Sequence, residues 1–330
     1  MTVTNDPGLA MQDLPSPPFI FIPGLPNFRD AGGYEVATDS PAPPSLEGKR
    51  RIKMVKRGIL FRSSEPSGLT DAGAEYLSQE LGIRHVYDLR SAVEISRGYN
   101  SDHGFPIREW EGSERKFVPV FLDRDYSPEA LALRYKNYAS ESDQGFVEAY
   151  KDILKAAADP TNTFQPFKAI LGHLASTSTE ASQSGPSPCL VHCTAGKDRT
   201  GVIVVLALSL CGVPDEAVVH EYSLTELGLR SRLQELVKHV SNNPKIGIDA
   251  AGARRMISAR KEAMQETLNY IRAEYGSVEE CVLKLGILTP EGIAQLRKNL
   301  IVEADEDDAV QWREHAKLVS KSAQDCTSTL

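Results

Sequence analysis

The sequence predicts an α/β fold with a helix-rich C-terminal part. Apolar runs suited to buried strands recur at residues 58–62, 83–89, 116–122 and Cys189–His192. Helical patterns separate them, and beyond residue 212 the chain is almost wholly helical. The stretch CLVHCTAGKDRTGVIVVLALSLCG at 189–212 reads as a strand, a tight loop and a helix ended by Gly212.

Residues 1–17 carry Pro7, Pro15 and Pro17 with little apolar periodicity and read as a flexible lead-in. An apolar stretch from Phe19 leads into Asn27-Phe28-Arg29-Asp30-Ala31-Gly32-Gly33, whose glycine pair suits a turn and whose charged pair suits bracing a loop. The Pro- and Ser-rich residues 37–49 read as a surface insertion, after which 58–62 return to the core. Thr70 is a good N-cap for a helix that carries Leu77 and Leu81 and stops at Gly82. The strand over 83–89 ends in Asp88-Leu89-Arg90-Ser91. Ligands in open α/β sheets gather beyond such strand ends, so Asp88 comes near Cys193 if their strands run parallel; its other reading is a cap for the next turn. Arg90 and Glu94, four apart, read as an ion pair.

Ser127-Pro128 opens a helix to about Tyr138, with Arg134, Tyr135 and Tyr138 as surface or lid positions. Helices over 145–158 and 164–174 precede a Ser/Thr/Gly/Pro-rich loop at 176–188, read as disordered. Past the central loop, helices are expected over 214–224, 230–240, 253–275, 278–284 and 290–300. Ile257, Met264, Leu268, Ile271 and Tyr275 make a packing stripe along the third of these. A single domain then spans 18–301, and 302–330 read as an acidic and polar solvated tail.

The central loop carries the chemistry. A loop opening a helix can turn free backbone N–H groups inward, where with the helix dipole they form an anion site. Arg199 can close the ring, because its planar guanidinium holds two phosphate oxygens at once. Gly196 supplies backbone freedom and Ala195 keeps the loop narrow. A free thiol of pKa ~8.5 is lowered by several units at a helix N-terminus beside cations, which predicts a standing thiolate at Cys193. Thr200 is placed to hydrogen-bond that sulfur, and His192 to brace the loop from the strand side.

Composition is that of a soluble globular protein, and 37 Lys+Arg against 45 Asp+Glu give a net charge of −8, which argues against a general nucleic-acid role. No run approaches the roughly 18 apolar residues of a membrane span, and the N-terminus lacks the pattern of a signal peptide, so a cytoplasmic location is expected. Five cysteines without a C-x-x-C pair suggest neither a disulfide framework nor a zinc site. No metal or cofactor is called for.

His192 to Gly201, HCTAGKDRTG, resembles the signature of the cysteine-dependent tyrosine phosphatases, in which a Cys, five residues, then Arg and Ser or Thr form the phosphate loop. The resemblance is closest to a fungal and bacterial branch sharing the Asn27–Gly33 stretch and the Asp88-Leu89-Arg90-Ser91 strand end. With the Glu221-Tyr222 helix, the resemblance covers residues 20–300. It implies a central, mainly parallel sheet flanked by helices, in agreement with the strand reading. By position, Cys193 would be the nucleophile, Arg199 the phosphate clamp and Thr200 the thiolate partner, with Thr194, Ala195, Gly196 and Lys197 binding substrate. The Trp-Pro-Asp acid loop of the eukaryotic enzymes is absent from the sequence, and Asp215 is excluded because a helix of about a dozen residues, roughly 18 Å, separates it from Cys193.

The resulting expectation is in-line attack by Cys193 on a phosphate monoester, giving a cysteinyl-phosphate that water hydrolyses. Asp198, which a bound dianion would keep protonated, is the favoured general acid, and Asp88 is orienter or alternate acid. Lys197 stands where phosphoinositide phosphatases carry a basic residue. A phosphoprotein and a phosphoinositide therefore both remain as substrates, and a lysine that only tunes the loop remains as the alternative. A P-loop nucleotide hydrolase fails on spacing, since Val191 and Asp198 stand where Gly and Ser/Thr are required. A cysteine protease fails because adjacent His192 and Cys193 point to opposite faces. A catalytically weak phosphate-binding module is the remaining rival.

Overall fold

The computed structural model describes residues 14–37, 50–99, 107–177, 185–243 and 246–317. The lead-in to residue 13, most of both expected insertions and the end of the tail lie outside these residues. The strands are β1 (Arg29–Asp30), β2 (Arg51–Val55), β3 (Leu60–Ser63), β4 (His85–Asp88), β5 (Glu114–Phe117), β6 (Cys189–His192) and β7 (Ile301–Asp305). The helices before the central loop are α1 (Asp71–Gln79), α2 (Ala92–Tyr99), α3 (Pro128–Ala139), α4 (Asp143–Ala158) and α5 (Pro166–Leu174). From the loop onward come α6 (Asp198–Leu210), α7 (Asp215–Ser223), α8 (Thr225–Gly228), α9 (Leu233–Ser241), α10 (Ala250–Ile257), α11 (Lys261–Tyr275), α12 (Val278–Lys284) and α13 (Pro290–Leu300).

One sheet has the order β1-β3-β6-β4-β5, parallel throughout except for β1. The period of two sorts its side chains onto two faces. Phe61, Leu190 and Val86 form a cross-strand row that packs with Leu69 and Leu77 beside α1. Leu60, Cys189, Val191 and Tyr87 face the larger core, filled from α4, α5 and α6. α6 is apolar on nearly every side and is buried from Thr200 to Leu208, as expected of a helix threaded through a core. It holds the loop rigidly against the sheet. Expected caps are present: Thr70, Ser127 and Thr289 each accept a backbone N–H in the first turn of their helices.

Three expectations need correction. The strand placed at 116–122 is instead β5 at Glu114–Phe117. Pro119 has no N–H for a ladder, and the carbonyls of Pro119 and Val120 go to the Asn162 amide, so Val118, Val120 and Phe121 are buried as connection rather than strand. The helix placed at 253–275 is two helices, α10 and α11, broken at Ser258–Arg260. Neither Gly nor Pro marks the break. Tertiary partners impose it: Lys197 takes the carbonyls of Met256 and Ser258, and Glu226 takes the Ala259 N–H. The acidic segment after 301 is not simply solvated. β7 pairs antiparallel with β2 from Val55–Ile301 to Arg51–Asp305, and Val310 is buried with its N–H on the Gly33 carbonyl, 2.8 Å.

Candidate active site

Parallel pairing brings three strand ends together, with Ser63 and Asp88 on either side of His192. Cys193, 2% exposed, follows β6 directly, and α6 begins at Asp198. Gly196 sits at φ +65°, and a Cβ there would lie 2.0 Å from the Ser63 carbonyl oxygen. Only glycine fits so close a crossing.

The carbonyls of Thr194 to Gly196 are engaged from outside the loop, and that of Lys197 takes the first hydrogen bond of α6. Thr194 O accepts from Glu65 N (3.0 Å), and Lys197 O from Gly201 N (2.7 Å). Ala195 O and Gly196 O each accept from Asn27 Nδ2 at 3.2 Å, and Gly196 O also from Arg62 Nη2 at 2.6 Å. Among the described residues, the amides of Thr194 to Lys197 donate to nothing. Peptide planes anchored in this way leave their N–H groups to the concave side, the arrangement that binds a tetrahedral anion.

The anchors are held by a buried ion network. Glu221 accepts from Arg29 Nε at 2.7 Å and from Arg62 Nη1 at 2.6 Å, with all three side chains fully buried. Burial pushes the Arg29 guanidinium down to about 10, against the pull of Glu221, so it stays charged at neutral pH. Burial would raise the Glu221 carboxyl, but the two arginines hold it below its ordinary value. Each charge needs the others, since a lone buried charge is costly.

Arg199 is fixed by Glu94 in a fork, Nη1 to Oε2 at 2.6 Å and Nη2 to Oε1 at 2.7 Å. Glu94 also accepts from Ser91 N (3.0 Å), Tyr126 OH (2.7 Å) and Thr194 Oγ1 (3.0 Å). Burial alone would raise its carboxyl, but Arg199 and these donors bring it down to about 2. His192 is held neutral, its pKa pushed down to about 4 by burial. Its Nδ1 lies 3.1 Å from the Cys193 carbonyl, which can only accept, so that nitrogen carries the proton. Asp198 Oδ1 accepts from Tyr150 OH at 2.9 Å and lies 3.3 Å from Lys197 Nζ. The Thr200 hydroxyl is buried and makes no hydrogen bond among the described residues, so the expected bond to the Cys193 sulfur is not formed.

The profile of the tyrosine phosphatase family matches residues 20–302. The chain belongs to that family. It is 30% identical to the triple specificity protein phosphatase PtpB of Mycobacterium tuberculosis over 301 residues, 84% of this chain and 95% of that one. It is 27% identical to a tyrosine-protein phosphatase of Nostoc commune over 260 residues, 76% of each chain. The protein is therefore a phosphatase of the protein-tyrosine-phosphatase type, a phosphoric monoester hydrolase.

In this phosphatase the motifs separated in sequence meet around one loop, yet two residues stand differently from expectation. Lys197 is not at the rim: it is 2% exposed, with its ammonium on the Met256 and Ser258 carbonyls and over the Phe146 ring at 4.9 Å. Those carbonyls replace the water that a buried ammonium would lose. Asp88 is fully buried between Arg90 (Oδ2 at 2.9 Å) and Arg115 (2.8 Å). Burial would raise its carboxyl, but His192, Arg90 and Arg115 hold it well below the usual carboxylate range. The carboxylate is thereby held ionised among its cationic neighbours. Arg90 folds back onto Asp88, and Glu94 forks to Arg199. Asp215 pairs with Arg272, away from the loop.

Glu94, Tyr126, Arg62 and Tyr150 are the functional neighbours that sequence reasoning missed. A signal existed for Glu94 in Ser91-Ala92-Val93-Glu94, a capping box whose reciprocal bonds are present. That pattern accounts for local bonds only and does not foretell the fork to Arg199.

Among the described residues, no helix is long and apolar enough to cross a membrane.

Proposed function

We infer that the enzyme hydrolyses phosphate monoesters through a cysteinyl-phosphate intermediate, with Cys193 as nucleophile. The observation that carries this reading is the outward anchoring of three successive loop carbonyls around a buried cysteine, with Arg199 forked to Glu94 at the start of α6. The loop amides and Arg199 meet the charge on the equatorial phosphate oxygens, the preorganised electrostatic contribution that usually dominates such catalysis. The sulfur attacks in line as the P–O bond breaks. Asp198 gives the leaving oxygen its proton, then takes one from the water that cleaves the S–P bond.

The substrate class that fits best is a phosphorylated protein, with phosphotyrosine first. A relative named for triple specificity supports a broad range among phosphoesters. The phosphoinositide reading rested on an exposed Lys197, and the buried ammonium withdraws that support. A reducing cytoplasm suits an enzyme that needs its sulfur free, as Cys189, Cys193, Cys211 and Cys281 all are. Hydrolysis of p-nitrophenyl phosphate by wild type and by Cys193→Ser tests the chemistry: loss in the variant is expected, and equal rates would overturn it. A panel of phosphotyrosine, phosphoserine and soluble phosphoinositide substrates tests the class; fastest turnover of the phosphoinositide would reverse the assignment.

A further inference from the structure

We propose that Tyr150 and Tyr222 form a buried hydroxyl relay that positions the acid Asp198 and reserves its Oδ2 for the proton delivered to the leaving group. This rests on the reading of Asp198 as general acid. The two tyrosines come from different elements, α4 and α7, and neither ring is exposed. Their hydroxyls lie 2.5 Å apart, and the Tyr150 hydroxyl also reaches Asp198 Oδ1 at 2.9 Å. The rings cross edge to face at 6.2 Å. Tyr222 is pressed against α6 so closely that a Cβ on Gly201 would lie 2.9 Å from its ring.

Proton order follows from chemistry. An ionised carboxylate only accepts, so the Tyr150 hydrogen points at Oδ1. The Tyr150 oxygen must then accept from Tyr222, and a chain of donors polarised in one direction strengthens each link. Burial pushes both phenols well above their ordinary value, which keeps them donors throughout the working pH range. Lys197 Nζ, whose hydrogen bonds go to the Met256 and Ser258 carbonyls, lies 3.3 Å from the same oxygen as an ion pair. Oδ1 thus takes the Tyr150 hydrogen bond and faces the ammonium, while Oδ2 takes no hydrogen bond from the described residues and the side chain is 22% exposed.

In the first step the Asp198 Oδ2–H bond breaks, the proton passes to the leaving oxygen, and the S–P bond forms as the P–O bond breaks. In the second, water attacks phosphorus, its proton goes to Oδ2, and the S–P bond breaks to release phosphate. Tyr150 and Tyr222 stay protonated in both steps and act through Asp198 as positioning residues. The ionisable groups around Asp198 are Lys197, Cys193 and Arg199 on the loop and Tyr138, Tyr150 and Tyr222 from the packed helices.

The test compares kcat for phenyl phosphate, a poor leaving group, with kcat for p-nitrophenyl phosphate, a good one. Asp198→Asn is expected to lower the former by about 10²-fold and the latter far less. Tyr150→Phe should lower the former by about tenfold, move the basic limb of its pH profile upward because a donor to the ionised form is lost, and have no added effect in the Asp198→Asn background. Tyr222→Phe should act in the same direction but less. Equal losses on both substrates, or losses that multiply with Asp198→Asn, would make the pair merely structural and overturn the proposal while sparing the general acid. Indifference of both substrates to Asp198→Asn would remove the acid and the relay together. If Tyr150→Phe does not fold, Tyr222→Phe alone decides, and an unbiased leaving-group response sinks the relay.

Discussion

Arg199 can serve as a clamp only if its planar fork is aimed, and the aim comes from Glu94. The two oxygens of Glu94 collect Arg199, Ser91, Tyr126 and Thr194, so one carboxylate ties α2, the loop and the start of α6 together. Glu94→Gln keeps the shape but loses one acceptor, and kcat/KM should fall by about tenfold or more, as steady-state kinetics would register. Arg199→Lys should cost about 10²-fold because a point charge replaces the fork. The pH dependence of folding has a definite sign. The Glu94 carboxyl is at about 2 in the fold against 4.5 ordinarily, so its contribution is fully present above pH 4.5 and is lost as pH falls toward 2. Urea midpoints of wild type and Glu94→Gln should therefore converge over that window; a constant gap would refute the coupling.

The elements were legible in the sequence where local pattern and tertiary need agree. Strand β6, the loop and α6 follow from an apolar run, a glycine that must cross Ser63, and an unbroken apolar helix. The α10–α11 break was not legible, because Met256 to Arg260 contain no helix breaker and the cause lies in Lys197 and Glu226, distant in sequence. For the same reason Lys197 read as a surface charge: its carbonyl partners exist only once the helix is broken. Lys197→Met should leave those two carbonyls buried and unpaired, at about 1–3 kcal/mol each. Urea denaturation should show the loss, and hydrogen exchange should show 250–260 opening first. The ratio of rates on polyphosphorylated and monophosphorylated substrates should stay unchanged, whereas a rim lysine would shift it.

At the scale of the whole molecule, the segment from Ile301 to His315 packs against β2, Gly33 and His220. The polar composition of 303–308 hid this, since β7 is only half-buried along its length and only Val310 and Trp312 carry apolar weight beyond it. Trp312 and His315 lie over His220, at 5.8 and 6.2 Å between ring centroids. His220 precedes Glu221, the carboxylate that holds Arg29 and Arg62. Among the described residues neither ring nitrogen of His220 takes a hydrogen bond, and burial pushes its pKa down to about 3. An unfolded chain binds this proton near pH 6.5 and the fold refuses it, so stability is full above 6.5 and declines as pH falls toward 3, by about 1.4 kcal/mol per pH unit for one such group. His192, at about 4, adds a second proton over most of the window. Ending the chain after Leu300 removes the β2 partner and uncovers His220. The melting temperature should drop at pH 7, and the pH slope between 6 and 4 should flatten by about one proton relative to the full chain. A truncated enzyme with an unchanged slope would show that the burial of His220 comes from α7 and its neighbours and not from the terminal segment.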